Sequence, residues 1–351
     1  MKYYTGLDIS MKTTSICVLN QEGKKIFEGV VETDPDAIVE ALRETKLSME
    51  KVAIESGSIS HWLMEELTDR GLSMVCIDSR KMASVLAINI NKTDKNDARL
   101  IAEALRCGFY SEVVQKTQEN AELRILLGSR RTLKDTSTKL KNTIRGHLKV
   151  FGIRLGESNN SKFFQEVIKR LEGRAEEVQL SIRGLLESFE KVNREIDKLE
   201  AHIKKLAEKD EDIALLTTIP GVGIITAFTF KTFLGDPKRF KSSRSVGAYF
   251  GMTPSQYSSG EAQKQGRISK RGSKEVRSVL NDSVTSMIYR TKSWSKLKAW
   301  GLKLRKNKGH KKATMAVGRK LCTIMHRMLI TRELFKYGTP KEETAELKKA
   351  G

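Results

Sequence analysis

Apolar and polar positions change period three times along the chain. Over residues 1–110 the runs are short and mixed. YYTGLDI, TTSICVLN and KKIFEGVV are rich in β-branched and aromatic residues and are separated by turn formers, which predicts three strands. PDAIVEALRET predicts a helix, KVAIES a buried strand, and HWLMEELTDRG a helix ended by Gly71. SMVCIDS predicts a further strand and DKNDARLIAEALRCG a further helix. Residues 119–150 turn helical, with Leu123, Leu126, Leu133, Leu140, Ile144 and Leu148 as the apolar side, and GIRLGESNN interrupts them.

The strongest periodicity follows. Phe164, Ile168, Leu171, Ala175, Val178, Ile182, Leu185, Phe189, Val192, Ile196, Leu199, Ile203 and Leu206 step by four and three, an a/d seam over six heptads that Gly173 and Gly184 weaken. Such a seam either dimerises the protein or packs back on its own chain as a hairpin. The pattern therefore predicts four segments. Residues 1–150 form an α/β domain and 151–210 a coiled-coil linker. Residues 211–338 form a mostly helical C-terminal domain, and 339–351 a polar, frayed tail. In the first segment, three strands followed by βα units suit a mixed five-stranded sheet, the element order of ribonuclease-H-like folds.

Composition adds little until charge is mapped. The 39% of hydrophobic residues suffices for a core, and no apolar run approaches the roughly 20 residues that cross a bilayer, so no membrane is expected. The opening MKYYTGLDIS lacks the apolar core of a signal peptide, and a soluble, cytoplasmic protein is expected. Four scattered cysteines with no CxxC pair read as reduced thiols. The net charge of +21 is uneven, because residues 231–351 hold 29 Lys and Arg against 8 Asp and Glu while the rest of the chain is balanced. Such a field captures polyanions, DNA or RNA alike.

Candidate chemistry sits in both halves. Asp8 lies in the first strand and Glu55 ends the strand KVAIES; Asp94 and Asp97, three apart, share one side of the helix that KTDKNDA opens. In a sheet whose first and fourth strands are neighbours, the four would meet at its centre. Converging carboxylates need cations, and Mg²⁺ suits oxygen ligands and phosphodiester chemistry. Each acid alone has a plainer reading, Asp94 as a helix cap for instance, and Asp78 at another strand end competes for a place. In LLTTIPGVGIITAFTF, Pro220-Gly221-Val222-Gly223 forms the hairpin of a helix–hairpin–helix, either a phosphate contact or a purely structural turn. Beyond it, Tyr257-Ser258-Ser259-Gly260 is a turn-like stretch among Lys264, Arg267, Lys270 and Arg271.

GLDIS, IESG and KTDKNDA, followed by GMTP-x-x-x-SSG-x(8)-ISKRG-x(4)-R and KKATMAVGRKL, resemble the DEDD transposases of the insertion-sequence one-ten family, Piv-type DNA invertases included. The likeness spans residues 1 to about 335. It implies a RuvC-like N-terminal domain, like that of Holliday-junction resolvases, and a nucleoid-associated place in a bacterium or archaeon. It implies Asp8, Glu55, Asp94 and Asp97 as a Mg²⁺-binding tetrad and Ser258 as the nucleophile. It further implies that the serine works with the tetrad of a partner subunit in a homodimer or tetramer, that the chain moves its own element between donor and target DNA, and that a noncoding bridge RNA chooses the sites. Gly221, Gly223, Lys264, Arg267, Lys270, Arg271 and Arg277 are the expected nucleic-acid contacts. A resolvase-type nuclease using metal-activated water is the alternative enzyme, and a non-catalytic nucleic-acid scaffold the alternative outside catalysis.

Overall fold

The computed structural model describes residues 1–86, 93–113, 117–156, 158–259 and 262–338. The expected tail 339–351 and Gly260 lie outside them. The chain divides into two compact units, Met1–Thr117 and Gln118–Gly351. The helix of residues 118–149, expected with the first domain, packs within the second unit.

The first unit contains strands β1 (Tyr3–Ile9), β2 (Thr13–Leu19) and β3 (Lys25–Glu32), then helix α1 (Pro35–Glu44) and β4 (Met49–Glu55). Helix α2 (Ser60–Asp69), β5 (Met74–Ile77), α3 (Ser79–Leu86) and α4 (Asp94–Arg106) complete it. The five strands form one sheet in the order β3-β2-β1-β4-β5. β1 pairs antiparallel with β2 and parallel with β4, so the first and fourth strands are neighbours. Alternation gives the sheet two different faces. Leu7 and Ile54, partners in the β1–β4 register, pack with Ile38, Leu42, Leu63 and Leu67 of α1 and α2. Gly6 and Ala53, the partners one step earlier, face the other way, and Ala53 packs with Ile101 and Leu105 of α4.

Gly6 is required there. A Cβ on it would collide with the Ala98 carbonyl and the Ala102 amide of α4, both rigid helix backbone. Gly6→Ala is therefore expected to destabilise the first unit by about 2–3 kcal/mol or more. Urea unfolding followed by a probe in residues 1–117 measures it, and an unchanged midpoint would refute the close approach.

The second unit opens with α5 (Gln118–Lys149), α6 (Asn160–Leu171) and α7 (Glu176–Ala207). The expected seam is not one helix, since the chain breaks between α6 and α7 with Gly173 at φ 74°. Helix α7 runs antiparallel to α5 within the same chain. Arg130 of α5 donates to Glu200 at 2.6 Å, Ser137 donates to Asn193 at 3.1 Å, and Ile144 and Leu148 share a core with Ile182, Leu186 and Phe189. The buried line of α7 is thus Ile182, Leu186, Phe189, Ile196 and Ile203, with Asn193 and Glu200 filling the polar steps. Leu185 sits at the edge of that core, and Leu206 is 39% exposed. The short α6 closes the tip through Phe163, whose ring meets Phe189 edge-on at 5.4 Å. Placing Asp at both Phe189 and Ile196 is now expected to melt this hairpin, at a cost of several kcal/mol. Circular dichroism should show lost helix and a lower Tm. An unaltered Tm with an altered oligomer by sedimentation would mean that the row serves another chain.

The rest of the unit contains α8 (Glu211–Thr217), α9 (Ile224–Leu234), a 3-10 turn at Pro237–Arg239 and α10 (Ser245–Tyr249). A two-stranded hairpin, β6 (Pro254–Ser259) and β7 (Ala262–Ile268), precedes α11 (Lys274–Tyr289), α12 (Lys296–Lys308) and α13 (His310–Thr331). Phe230, Phe250, Val284, Met287, Val317 and Met325 are among the side chains of one apolar core, to which Leu127 and Ile203 at the root of the α5–α7 hairpin also belong.

Among the described residues no helix is long and apolar enough to cross a membrane.

Candidate active site

Asp8 and Glu55 directly follow Leu7 and Ile54, so strand alternation places both on the α4 side of the sheet. They line one cleft of about 250 Å³ with Ser10, Ser56, Gly57 and Ser60. Helix α4 crosses β1 in the opposite direction. Tyr4 packs against the cluster of Ile101, Ala104 and Leu105, while Gly6 meets Ala98 and Ala102. Its N-terminal turn, with Asp94 and Asp97, therefore lies toward the Asp8 end of the strand. Thr93 caps the helix by accepting from the Asn96 amide, so Asp94 is not the cap. Asp94 is exposed, whereas Asp97 is 5% exposed and its Oδ1 has no hydrogen-bond partner. A buried carboxylate oxygen without a donor is costly unless a cation or proton meets it. Among the described residues no three Asp, Glu, His or Cys side chains converge closely enough to hold one metal ion. The four acids share one face and one end of it without closing into a cage. Asp78, the competitor, opens α3 one strand further out, where its carbonyl accepts from Lys81 and Met82.

In the second unit the serine segment is strand, not turn. Ser258 pairs with Gln263 and Ser259 with Ala262, and Lys264 stands opposite Tyr257. The base of this hairpin is locked. The Ser269 amide donates to the Thr253 carbonyl at 2.8 Å and the Lys270 amide to the Gly251 carbonyl at 3.0 Å. Gly251, at φ 69°, leaves no room for a Cβ, which would lie 2.6 Å from the Arg271 nitrogen. Arg277 donates through Nη1 to the carbonyls of Phe250 (3.0 Å) and Gly272 (2.9 Å), so it ties the two motif segments together from the first turn of α11. Arg267, Lys270 and Arg271 are exposed beside it.

The Pro220–Gly223 turn joins α8 to α9. Gly221, at φ 87°, presses on α11, and a Cβ there would lie 2.7 Å from the Ser283 carbonyl and the Met287 amide. That gives Gly221 a packing role. Gly223 caps α9 with open space around it, leaving the amides of that helix end without a side-chain cap.

Comparison with known proteins matches both halves. Residues 5–153 match a transposase model of the DEDD, IS110 type, and residues 213–299 match the model of the transposase IS116/IS110/IS902 family. The transposase for insertion sequence element IS1328 of Yersinia enterocolitica is 31% identical over 235 residues, covering 65% of this chain and 68% of that protein. The chain belongs to the IS110 family of transposases. The transposase for insertion sequence element IS1111A of Coxiella burnetii is 28% identical over 339 residues, 95% of this chain and 91% of the other. The pilin gene-inverting protein of Moraxella bovis is 28% identical over 151 residues, 42% of this chain and 45% of the other.

For this IS110 transposase, the first family match contains all four acids and ends just beyond α5, and the second begins within α8 and contains the β6–β7 hairpin. The α6–α7 segment lies between the two. Sequence reasoning passed over His61, next to the cleft-lining Ser60, whose two ring nitrogens are shielded and without a partner. It also passed over the carbonyl-clamping role of Arg277, since an arginine in a basic stretch gives no sign of what it donates to.

Proposed function

We propose that this transposase excises and inserts its element through a covalent phosphoserine link, with the first unit as a ribonuclease-H-like, RuvC-like nuclease domain and the second presenting Ser258. The observation that carries the reading is the placement of Asp8, Glu55, Asp94 and Asp97 at one end of one sheet face, with a buried, donorless oxygen on Asp97. An all-oxygen donor set and that orphaned oxygen fit a hard divalent cation, Mg²⁺, which when bound would offset charge developing on a phosphodiester.

The chain's own residues then have separate tasks. The carboxylates of Asp8, Glu55, Asp94 and Asp97 would hold the cation, and one of them would accept the single proton that the attacking hydroxyl gives up. Ser258 attacks the phosphorus, forming the Oγ–P bond as the O3′ or O5′ leaving oxygen departs. Religation reverses this on the exchanged strand, so no ATP is consumed. Arg267, Lys270 and Arg271, with Lys264 across the hairpin, hold the scissile phosphate and its developing charge. Self-association, as a dimer or tetramer, lets the serine of one copy meet the carboxylates of another, and a bridge RNA selects donor and target. The Gly223 end of a helix–hairpin–helix adds a backbone phosphate contact.

The test is a denaturant-resistant protein–DNA adduct on a nicked element-end substrate in Mg²⁺. DNA cut without any adduct would instead favour metal-activated water, as in resolvase-type nucleases.

A further inference from the structure

From Ser283 to Arg332 the chain runs 50 residues without one Asp or Glu and carries 14 Lys and Arg, two-thirds of the whole charge excess. The stretch folds into the last two turns of α11 and all of α12 and α13. Helices α12 and α13 pack antiparallel, with Gly301 close enough to Val317 that an added Cβ would lie 3.2 Å from its Cγ2. They meet in a one-residue turn at Gly309, whose φ of 80° only glycine adopts without strain. Lys303, Lys306, Lys308, Lys311 and Lys312 stand exposed around that turn.

Other cations of the same stretch have evident work. Arg305 lies over the Tyr289 ring at 5.0 Å, Lys298 donates to the Thr291 carbonyl at 2.6 Å, and Arg332 pairs with Asp212. Elsewhere, exposed lysines find acids, as Lys25 does with Glu28 and Lys198 with Glu195. Among the described residues the five lysines at the turn have no carboxylate partner. Five like charges held together at a helical turn repel one another, and a polyanion that replaces their dissolved counterions relieves that cost. The regular ~1.7 Å charge spacing of a duplex suits a compact tip of point charges that carries no planar, base-reading fork.

We propose that the α12–α13 turn is a docking surface for the phosphodiester backbone of duplex DNA, separate from the β6–β7 hairpin. Met252, at the foot of the hairpin, touches α13 at Gly318, nine residues or about 14 Å along the helix from the turn. A duplex held at the tip is therefore read at two places, one gripping phosphates without regard to sequence and one at the hairpin. This deepens the recombinase reading and rests on it for the assignment of the hairpin alone.

The experiment replaces Lys306, Lys308, Lys311 and Lys312 with Gln in the full chain. A control replaces Lys191, Lys204, Lys205 and Lys209 of the α7 region, which removes the same charge elsewhere. Binding is measured against salt with duplex DNA and duplex RNA of one sequence. The tip variant should keep its Tm, bind at least tenfold more weakly at ~150 mM salt, and lose about 3 units of slope in log K against log salt on duplex DNA. The control should lose less than about 1 unit. A loss on duplex DNA supports the surface, and a loss confined to duplex RNA would overturn it. Equal losses in tip and control variants, or none in either, would overturn it. A lost slope in a protein that forms no covalent adduct would keep the surface and remove the recombinase mechanism.

Discussion

Asp97→Ala protein is expected to lose recombination by at least about a hundredfold, near 3 kcal/mol of transition-state stabilisation, while melting no lower than the parent. The two halves of that result come from one atom. Asp97 is buried and its Oδ1 finds no donor, so without a cation the side chain costs free energy that alanine would not. In Mg²⁺ the order should invert, because the parent gains stability by binding an ion that the variant no longer holds. Thermal unfolding over a Mg²⁺ titration, run beside a plasmid recombination assay, reads both. Full activity with an unchanged Mg²⁺-dependent shift would remove Asp97 from the site. Asp8→Ala and Glu55→Ala should lose activity alike, with less gain in metal-free stability, since each already has an interaction within the protein.

Ser258→Ala is expected to abolish both adduct and recombination while leaving DNA and RNA affinity within about twofold, because a hydroxyl adds little to a charge-dominated interface. Ser259→Ala should retain activity, since one lost hydrogen bond costs about 1 kcal/mol. The strand supplies a reason for the difference. Ser258 and Ser259 occupy consecutive positions of β6, opposite Gln263 and Ala262, and consecutive strand positions belong to opposite faces. The proposed mechanism needs only one of them as nucleophile, so the two serines are not expected to be interchangeable. Trapping the adduct, digesting it and locating the phosphate by mass spectrometry decides between them. Phosphate on Ser259 would reverse the assignment, and cleavage with phosphate on neither would favour hydrolysis by water.

The sheet order was legible because its signals are local and chemically distinct. Three β-rich runs before the first helix leave few ways to build a mixed sheet, and GLDIS and VAIES mark its central strands. The helix carrying Asp94 and Asp97 was equally plain, although Thr93, one residue earlier, proved to be its cap. The partner of the long seam was not legible. A heptad repeat says that one side of a helix is apolar and leaves open what covers it. The covering side turned out to be α5, which the sequence also marks as amphipathic. Asn193 and Glu200 lie on the buried line because Ser137 and Arg130 answer them, and such pairing across 56 and 70 residues has no periodic trace. Gly221 looked like an anion-binding turn, but the nearness of α11 to its α-carbon is a tertiary fact.

The α5–α7 hairpin also sets a rule for how lengths can change between relatives. Its root at Ile203 lies in the main core and its buried line reaches Ile182, 21 residues or about 32 Å toward the tip. Inserting seven residues into each helix would lengthen the arm by about 10 Å and turn its tip by only about 20°. Inserting four would turn the tip by about 40° for about 6 Å of reach. The polar rungs Arg130–Glu200 and Ser137–Asn193, one heptad apart, penalise any slip that puts either against an apolar layer. The arm therefore behaves as a ruler graduated in sevens, and relatives whose middle segments differ in length are expected to differ by multiples of seven on both helices at once.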